Sequence, residues 1–152
     1  MRDPFREGLA AGWKHIDASQ LAVDLPIEAD VVIIGSGAGG GVTAEILAAN
    51  GLKVIIVEEG PLRSSSDFKM REAEAYPDLY QESAARKTAD KAINILQGRC
   101  VGGSTTVNWT SSFRTPPRTL QWWQSAWGLK RLGVDAMAPW FAAMEQIGRA
   151  HV

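Results

Sequence analysis

Gly35, Gly37 and Gly40 stand at the spacing G-x-G-x-x-G, and an acid, Glu58, follows a little over twenty residues beyond the turn. Residues of these types at this spacing can hold a dinucleotide. The first glycine permits a tight turn, the second lets a pyrophosphate approach the backbone with no Cβ in the way, and the third lets helix and strand pack closely. The phosphates would rest on free N–H groups at a helix N-terminus, where the dipole favours negative charge. Glu58 can accept hydrogen bonds from both ribose hydroxyls of an adenosine, and it would repel a 2′-phosphate, which disfavours NADP.

A second stretch of the same kind runs from Gly98 to Thr110, as Gly-Arg-Cys-Val-Gly-Gly-Ser-Thr-Thr-Val-Asn-Trp-Thr. The pair Gly102-Gly103 and the hydroxyls of Ser104, Thr105 and Thr106 offer a backbone that can come close to a ligand, with short donors to hold it. Asn108 adds an amide that both donates and accepts. A glycine- and hydroxyl-rich loop with no function has the same composition, and both readings stand at this point.

The elements that must position these residues read as strand, glycine turn, helix, strand. Val31 to Ile34 is a continuous β-branched run that suits a strand buried on both faces of a parallel sheet. Gly40 to Asn50 carries Ala44, Ile46, Leu47 and Ala48 at near-helical spacing, and Asn50-Gly51 supplies a left-handed stop. Val54 to Val57 is the second strand. Asp67 to Ala75 reads as a helix capped by Ser66 or Asp67, Pro77 as the start of another reaching Ala85, and Ile93 to Leu96 as a short strand. Pro116-Pro117 fits the entry to a helix through Leu120 and Trp123, and Pro139 the first turn of a further helix through Phe141 and Met144. Trp109, Trp122, Trp123, Trp127 and Trp140 crowd the final third; tryptophans at helical spacing favour a core role over stacking on a flavin or sugar.

The chain has 152 residues and a formal net charge of -1. Its length suits one domain, and its charge gives no footprint for nucleic acid and no polybasic membrane anchor. Cys100 is its one cysteine, which leaves no internal disulfide and no cysteine-based metal cluster. The apolar runs are strand-sized, so no membrane segment is expected. Residues 1–29 read as a mixed arm laid over the nucleotide domain as a strap, with Trp13, Ile16, Leu21, Val23, Leu25 and Ile27 able to pack and His15 in no metal-binding pattern. The charged start Met1-Arg2-Asp3-Pro4-Phe5-Arg6-Glu7 lacks the apolar region of a secretory signal, and a cytoplasmic location is expected.

With both glycine stretches in hand, the chain resembles the N-terminal part of the glucose-methanol-choline (GMC) oxidoreductases, which are FAD enzymes. Gly35-Ser36-Gly37-Ala38-Gly39-Gly40 is similar to their dinucleotide turn, Val57-Glu58-Glu59-Gly60-Pro61 to the end of their second strand, and Gly98 through Asn108 to their first signature. The form Val-Asn-Trp-Thr-Ser-Ser-Phe-Arg-Thr-Pro resembles the long-chain fatty alcohol oxidase branch, although Phe113 and Pro116 come one place later than the family pattern. The resemblance implies an α/β fold, an incomplete Rossmann-like FAD-binding domain with a βαβ core plus helical segments. It implies a domain at residues 30–146, with Gly35, Ser36, Gly37, Ala38, Gly40, Glu58, Gly103, Ser104, Asn108 and Thr110 as cofactor-binding residues. Arg99 either neutralises phosphate charge or is a surface arginine. Some relatives link FAD covalently to a histidine immediately before the asparagine; Val107 stands there, so FAD is expected to be non-covalent.

The reaction implied for an intact parent is oxidation of a small-molecule alcohol by hydride transfer to flavin. Family members are several times longer, and their catalytic histidine lies beyond the matching region. No catalytic residue is therefore assigned in this chain, His151 included. The alternatives are the nucleotide-binding domain of an NAD-dependent dehydrogenase and a non-catalytic remnant that binds nucleotide weakly. Residues 147–152, Ile-Gly-Arg-Ala-His-Val, back-translate as ATC GGA AGA GCA CAC GTC, which resembles a sequencing adapter read in frame. They are read as an artefactual tail, a reading that different codons in the nucleotide record would end.

Overall fold

β-branched residues lose side-chain freedom in a helix and suit an extended backbone, and the two runs of them become the two strands. In the computed structural model, which describes residues 2–147, the chain runs α1 (Pro4–Ala10), β1 (Val31–Ile34), α2 (Ala38–Ala49), β2 (Val54–Val57), α3 (Glu72–Leu79), α4 (Pro117–Trp127) and α5 (Val134–Ile147). The tail at 147–152 lies outside the described residues, apart from the backbone of Ile147 that closes α5. The chain divides into two units, Met1–Trp109 and Thr110–Val152, and each is described by itself.

In the first unit β1 and β2 pair in parallel, Val31 opposite Val54 and Ile34 opposite Val57, and α2 makes the crossover between them. This is an α/β arrangement. α2 lies against both strands with Ala44 buried, and it ends as its residues require: Asn50 closes the last turn, its Nδ2 donating to the Ile46 carbonyl at 2.8 Å, and Gly51 takes φ +87°. The strands are not buried on both faces as expected. Val32 is 58% exposed and Ile34 90%, because a parallel sheet is covered only where further layers flank it, and here α2 is the crossover helix.

The arm is fastened through Asp3 and Arg6. Asp3 caps α1 by accepting from the Arg6 N–H at 3.1 Å, and its other oxygen accepts from the hydroxyls of Ser64 (2.7 Å) and Ser66 (2.6 Å) and from the Ser66 N–H (2.9 Å). Arg6 reaches Asp67 with both carboxylate oxygens at 2.8 and 3.0 Å. The Ser66 hydroxyl above all, against the upward push of burial, holds the Asp3 carboxyl well below the usual carboxylate range, aided by Ser64 and the two backbone donors. Leu21, Val23, Leu25 and Ile27, expected to pack, are exposed.

Several boundaries differ from the sequence pattern. There is one helix around Pro77, not two: α3 runs Glu72–Leu79 with Pro77 inside it, and Glu82, Ser83 and Ala84 then take left-handed conformations that no continuing helix accommodates. Ile93 to Leu96 forms no strand; isolated bridges, Lys87 with Asn94 and Tyr80 with Gly98, hold that region instead. In the second unit α4 begins at Pro117, as expected, and the structure ends it at a left-handed Gly128. α5 starts at Val134, so Pro139 is interior to it and not in its first turn. The tryptophans are not core: Trp122, Trp127 and Trp140 are each more than half exposed, as is Trp109 at the end of the first unit. Helical spacing had placed them on a face; what covers that face is tertiary, and α4 buries Leu120 instead.

Candidate dinucleotide site

The glycine turn closes because of what a side chain would meet there. Gly35 takes φ +89°, and its N–H donates to the Val57 carbonyl at 2.7 Å, extending the sheet one residue into the turn. At Gly40 a Cβ would lie 2.0 Å from the Gly35 carbonyl oxygen, so only glycine lets α2 start this close behind β1. Gly37 is different. Its backbone, φ −63° and ψ −171°, is open to any residue, and a Cβ there would meet nothing within 4 Å. The chain's own packing gives no reason for a glycine at 37, whereas an approaching ligand does. No side chain caps α2, which leaves the N–H groups of its first turn without a side-chain acceptor.

The second glycine segment docks directly on the first. A Cβ on Gly103 would lie 3.0 Å from the Gly37 Cα, one on Gly60 2.3 Å from the Arg99 carbonyl carbon, and one on Gly98 2.4 Å from the Gly103 carbonyl oxygen. The Val101 N–H donates to the Pro61 carbonyl at 3.1 Å. Backbone packs on backbone throughout this interface, which is why both segments are rich in glycine. Cys100 is buried beneath it, and burial pushes its thiol upward, as befits an inert cysteine.

Glu58 is the electrostatic centre. Its Oε2 accepts from the Ser36 N–H at 2.8 Å and the Ser36 hydroxyl at 2.6 Å, and its Oε1 accepts from the Gly60 N–H at 2.9 Å. Burial pushes the Glu58 carboxyl up, yet the donors of Ser36 and Gly60 together outweigh it and bring the group below its ordinary value. The carboxylate is thus ionised and aimed at the turn.

A cleft of about 420 Å³ opens beside these groups, lined by Ile34, Gly35, Gly37, Ala38, Val57, Glu58, Glu59, Gln97, Gly98 and Ser104. Of the residues expected to bind cofactor, it brings together Gly35, Gly37, Ala38, Glu58 and Ser104. Gly103 lies behind it against Gly37, Gly40 is in the helix packing, and Ser36 faces Glu58. Asn108 Nδ2 donates to the Thr105 carbonyl at 2.6 Å within its own loop, and Thr110, at φ +59°, opens the second unit; neither lines the cleft. Arg99 pairs with Glu59 at 3.3 Å, and no lysine or arginine is among the described residues lining the cleft, so backbone N–H groups are what it offers a phosphate. Sequence reasoning missed Gln97 and Glu59. Their neighbours Gly98 and Glu58 were the signal: a residue beside a close-packed glycine is carried to the same rim.

A different concavity of about 440 Å³ lies in the second unit against Pro116, Arg118, Thr119 and Trp122, at the first turn of α4. It gathers no polar cluster comparable to that around Glu58.

Comparison with known proteins decides the family. Residues 76–152 match the model of the GMC oxidoreductase family. The chain belongs to that family. Residues 30–92 of this GMC chain match an FAD binding domain, the same stretch that holds β1, the glycine turn, α2 and β2. Similar proteins include two long-chain-alcohol oxidases of Arabidopsis thaliana. One is 37% identical over 111 residues, 73% of this chain and 15% of the relative; the other is 40% identical over 107 residues, 70% of this chain and 14% of the relative. Among solved structures, pyridoxine 4-oxidase from Mesorbium loti superposes with a TM-score of 0.56 at 29% identity, over 75% of this chain and 24% of that one. The chain therefore spans about 15% of the length of the curated relatives it matches.

Proposed function

We propose that this chain is the adenine-dinucleotide part of an FAD-dependent oxidoreductase acting on alcohols, with residues 1–29 as its arm and residues 30–146 as a partial, Rossmann-like FAD-binding domain. When bound, FAD supplies the acceptor for a hydride from the alcohol carbon. The chain's residues bind and orient. Gly37 and the start of α2 admit the pyrophosphate, Gly35 and Gly40 shape the turn, Ala38 borders it, and Glu58 has lone-pair capacity left on Oε1 for a ribose hydroxyl. Gly103 and Ser104, then Asn108 and Thr110 beyond them, belong on the flavin side. With Val107 before Asn108, FAD is held without a covalent bond. No general base is assigned to this chain. The long-chain-alcohol oxidases among its relatives support a long-chain alcohol as substrate of the whole protein.

The observation that carries this reading is Gly37: a glycine with ordinary backbone angles and empty space over its Cα, at the mouth of a cleft shared with Glu58 and Ser104. The test is retention of FAD by the purified chain, read from flavin absorbance near ~450 nm, with oxidised NAD as the competing cofactor. A chain that retains FAD, and a Gly37→Val variant that does not, support the proposal. Preference for NAD would replace it with the dehydrogenase reading.

The exposed strand faces at Val32 and Ile34 favour a second reading for the isolated chain, that of a remnant which binds nucleotide weakly and catalyses nothing. Tight FAD binding with a single sharp unfolding transition would remove that reading.

A further inference from the structure

We infer that Ser36 is a positioning residue whose hydroxyl clasps the second glycine segment onto the first, rather than a group that touches the cofactor. This rests on the FAD reading above. The G-x-G-x-x-G pattern assigns duties to its three glycines and none to the residue after the first. Here that residue is placed where three separate parts of the chain meet.

The direction of each hydrogen bond follows from the donors present. The Gly102 N–H can only donate, and it lies 2.9 Å from Ser36 Oγ, so the hydroxyl oxygen accepts there. The hydroxyl proton is then committed to Glu58 Oε2 at 2.6 Å, where the Ser36 N–H also donates at 2.8 Å. The chain Gly102 N–H to Ser36 O–H to Glu58 carboxylate thus joins the second segment, the glycine turn and the end of β2 across a sequence separation of 66 residues. A hydrogen bond ending on an ionised acceptor is stronger than a neutral one, so the proton has one strongly preferred direction. Gly102 takes φ +90°, and an added Cβ would lie 2.3 Å from Thr106 Oγ1, so glycine is what lets the chain present this N–H to Ser36. Gly103, the next residue, is the one that meets Gly37.

Removing the hydroxyl therefore has a divided consequence. Glu58 keeps two donors, the N–H groups of Ser36 and Gly60, and stays where a ribose needs it. Gly102 loses its acceptor, and the segment that places Ser104 on the cleft wall loses its hydrogen bond to the turn while keeping the one from Val101 to Pro61. Binding at the adenosine end survives, and binding that also uses the second segment suffers.

The test compares the 152-residue chain with Ser36→Ala, Ser36→Thr and Ser36→Cys, using FAD and ADP as probes and amide hydrogen exchange without ligand as an independent readout. The expected result for Ser36→Ala is an FAD dissociation constant raised about tenfold, the size of one lost hydrogen bond that leaves a part-buried donor unpaired. ADP affinity should change less than about threefold, because Glu58 keeps the N–H donors of Ser36 and Gly60 and so keeps its place. Exchange at residues 98–106 should accelerate in the ligand-free variant, Ser36→Thr should restore both quantities, and Ser36→Cys, a weak donor and acceptor, should fall between. Equal loss of FAD and ADP would overturn the clasp, as would unchanged exchange in ligand-free Ser36→Ala. Where Ser36→Ala does not fold, the graded exchange of Ser36→Cys decides in the same two directions. Failure of the unaltered chain to bind FAD sinks the functional reading alone, since the exchange comparison needs no cofactor.

Discussion

The two glycine segments look alike in sequence and are built for different ends. At Gly98, Gly102 and Gly103 the need for glycine is met inside the chain, by backbone pressed on backbone or by a left-handed angle. In the turn, Gly35 and Gly40 are explained in the same way, but Gly37 is not; the space over it is empty and its angles are ordinary. A glycine-rich stretch is thus weak support for a ligand until each glycine has been asked what its Cβ would strike. Of the six glycines just compared, Gly37 alone combines ordinary backbone angles with open space where a Cβ would stand.

That contrast can be attacked directly. The largest loss is expected for Gly40→Ala, where the added methyl has the rigid Gly35 carbonyl 2.0 Å away: about 3 kcal/mol of stability, read by chemical denaturation, the upper end for overpacking. Gly103→Ala comes next, at roughly 2 kcal/mol, because it carries a left-handed cost of about 1–2 kcal/mol as well as pressing on Gly37. Its destabilisation should come with faster exchange across residues 98–106.

Glu58→Gln separates the segments by pH. Glu58 is lowered in the fold, so its contribution is present above the ordinary glutamate range and lost as pH falls through the lower folded value. Residues 97–108 contain no carboxylate, so the slope of stability against pH in the acid range should become shallower in Glu58→Gln, while substitutions at Gly103 leave that slope unchanged. The smallest effect on stability, and the one of opposite sign, is expected for Gly37→Ala. A residue with φ −63° tolerates alanine, so the chain should be unchanged or stabilised by up to about 1 kcal/mol. A clear destabilisation by Gly37→Ala would show that position 37 serves the fold and would remove the main support for the cleft as a ligand site.

The βαβ unit was legible because its signals are local. β-branched runs mark β1 and β2, Gly35 and Gly40 are fixed by the geometry of one turn, and Asn50-Gly51 ends α2. The start of α4 at Pro117 was legible for the same reason. What could not be read depends on distant partners. Nothing near Ser36 in the chain announces Gly102, and nothing near Asn108 says that its amide will turn back to Thr105. Pro77 reads as a helix start because proline favours the first turn, yet α3 tolerates it inside. The tryptophan spacing gave helices correctly and burial wrongly, since periodicity defines a face and says nothing of its cover.

The Asp3 carboxylate accepts from donors on Ser64 and Ser66, 61 and 63 residues further on. At a synthesis rate of roughly 5–20 residues per second, the ribosome has finished both strands and the helix between them before the opening helix has anything to hold. The Asp3 joint therefore closes only once β1, α2 and β2 exist, and a substitution at Asp3 would disturb a contact that the βαβ unit does not need in order to form.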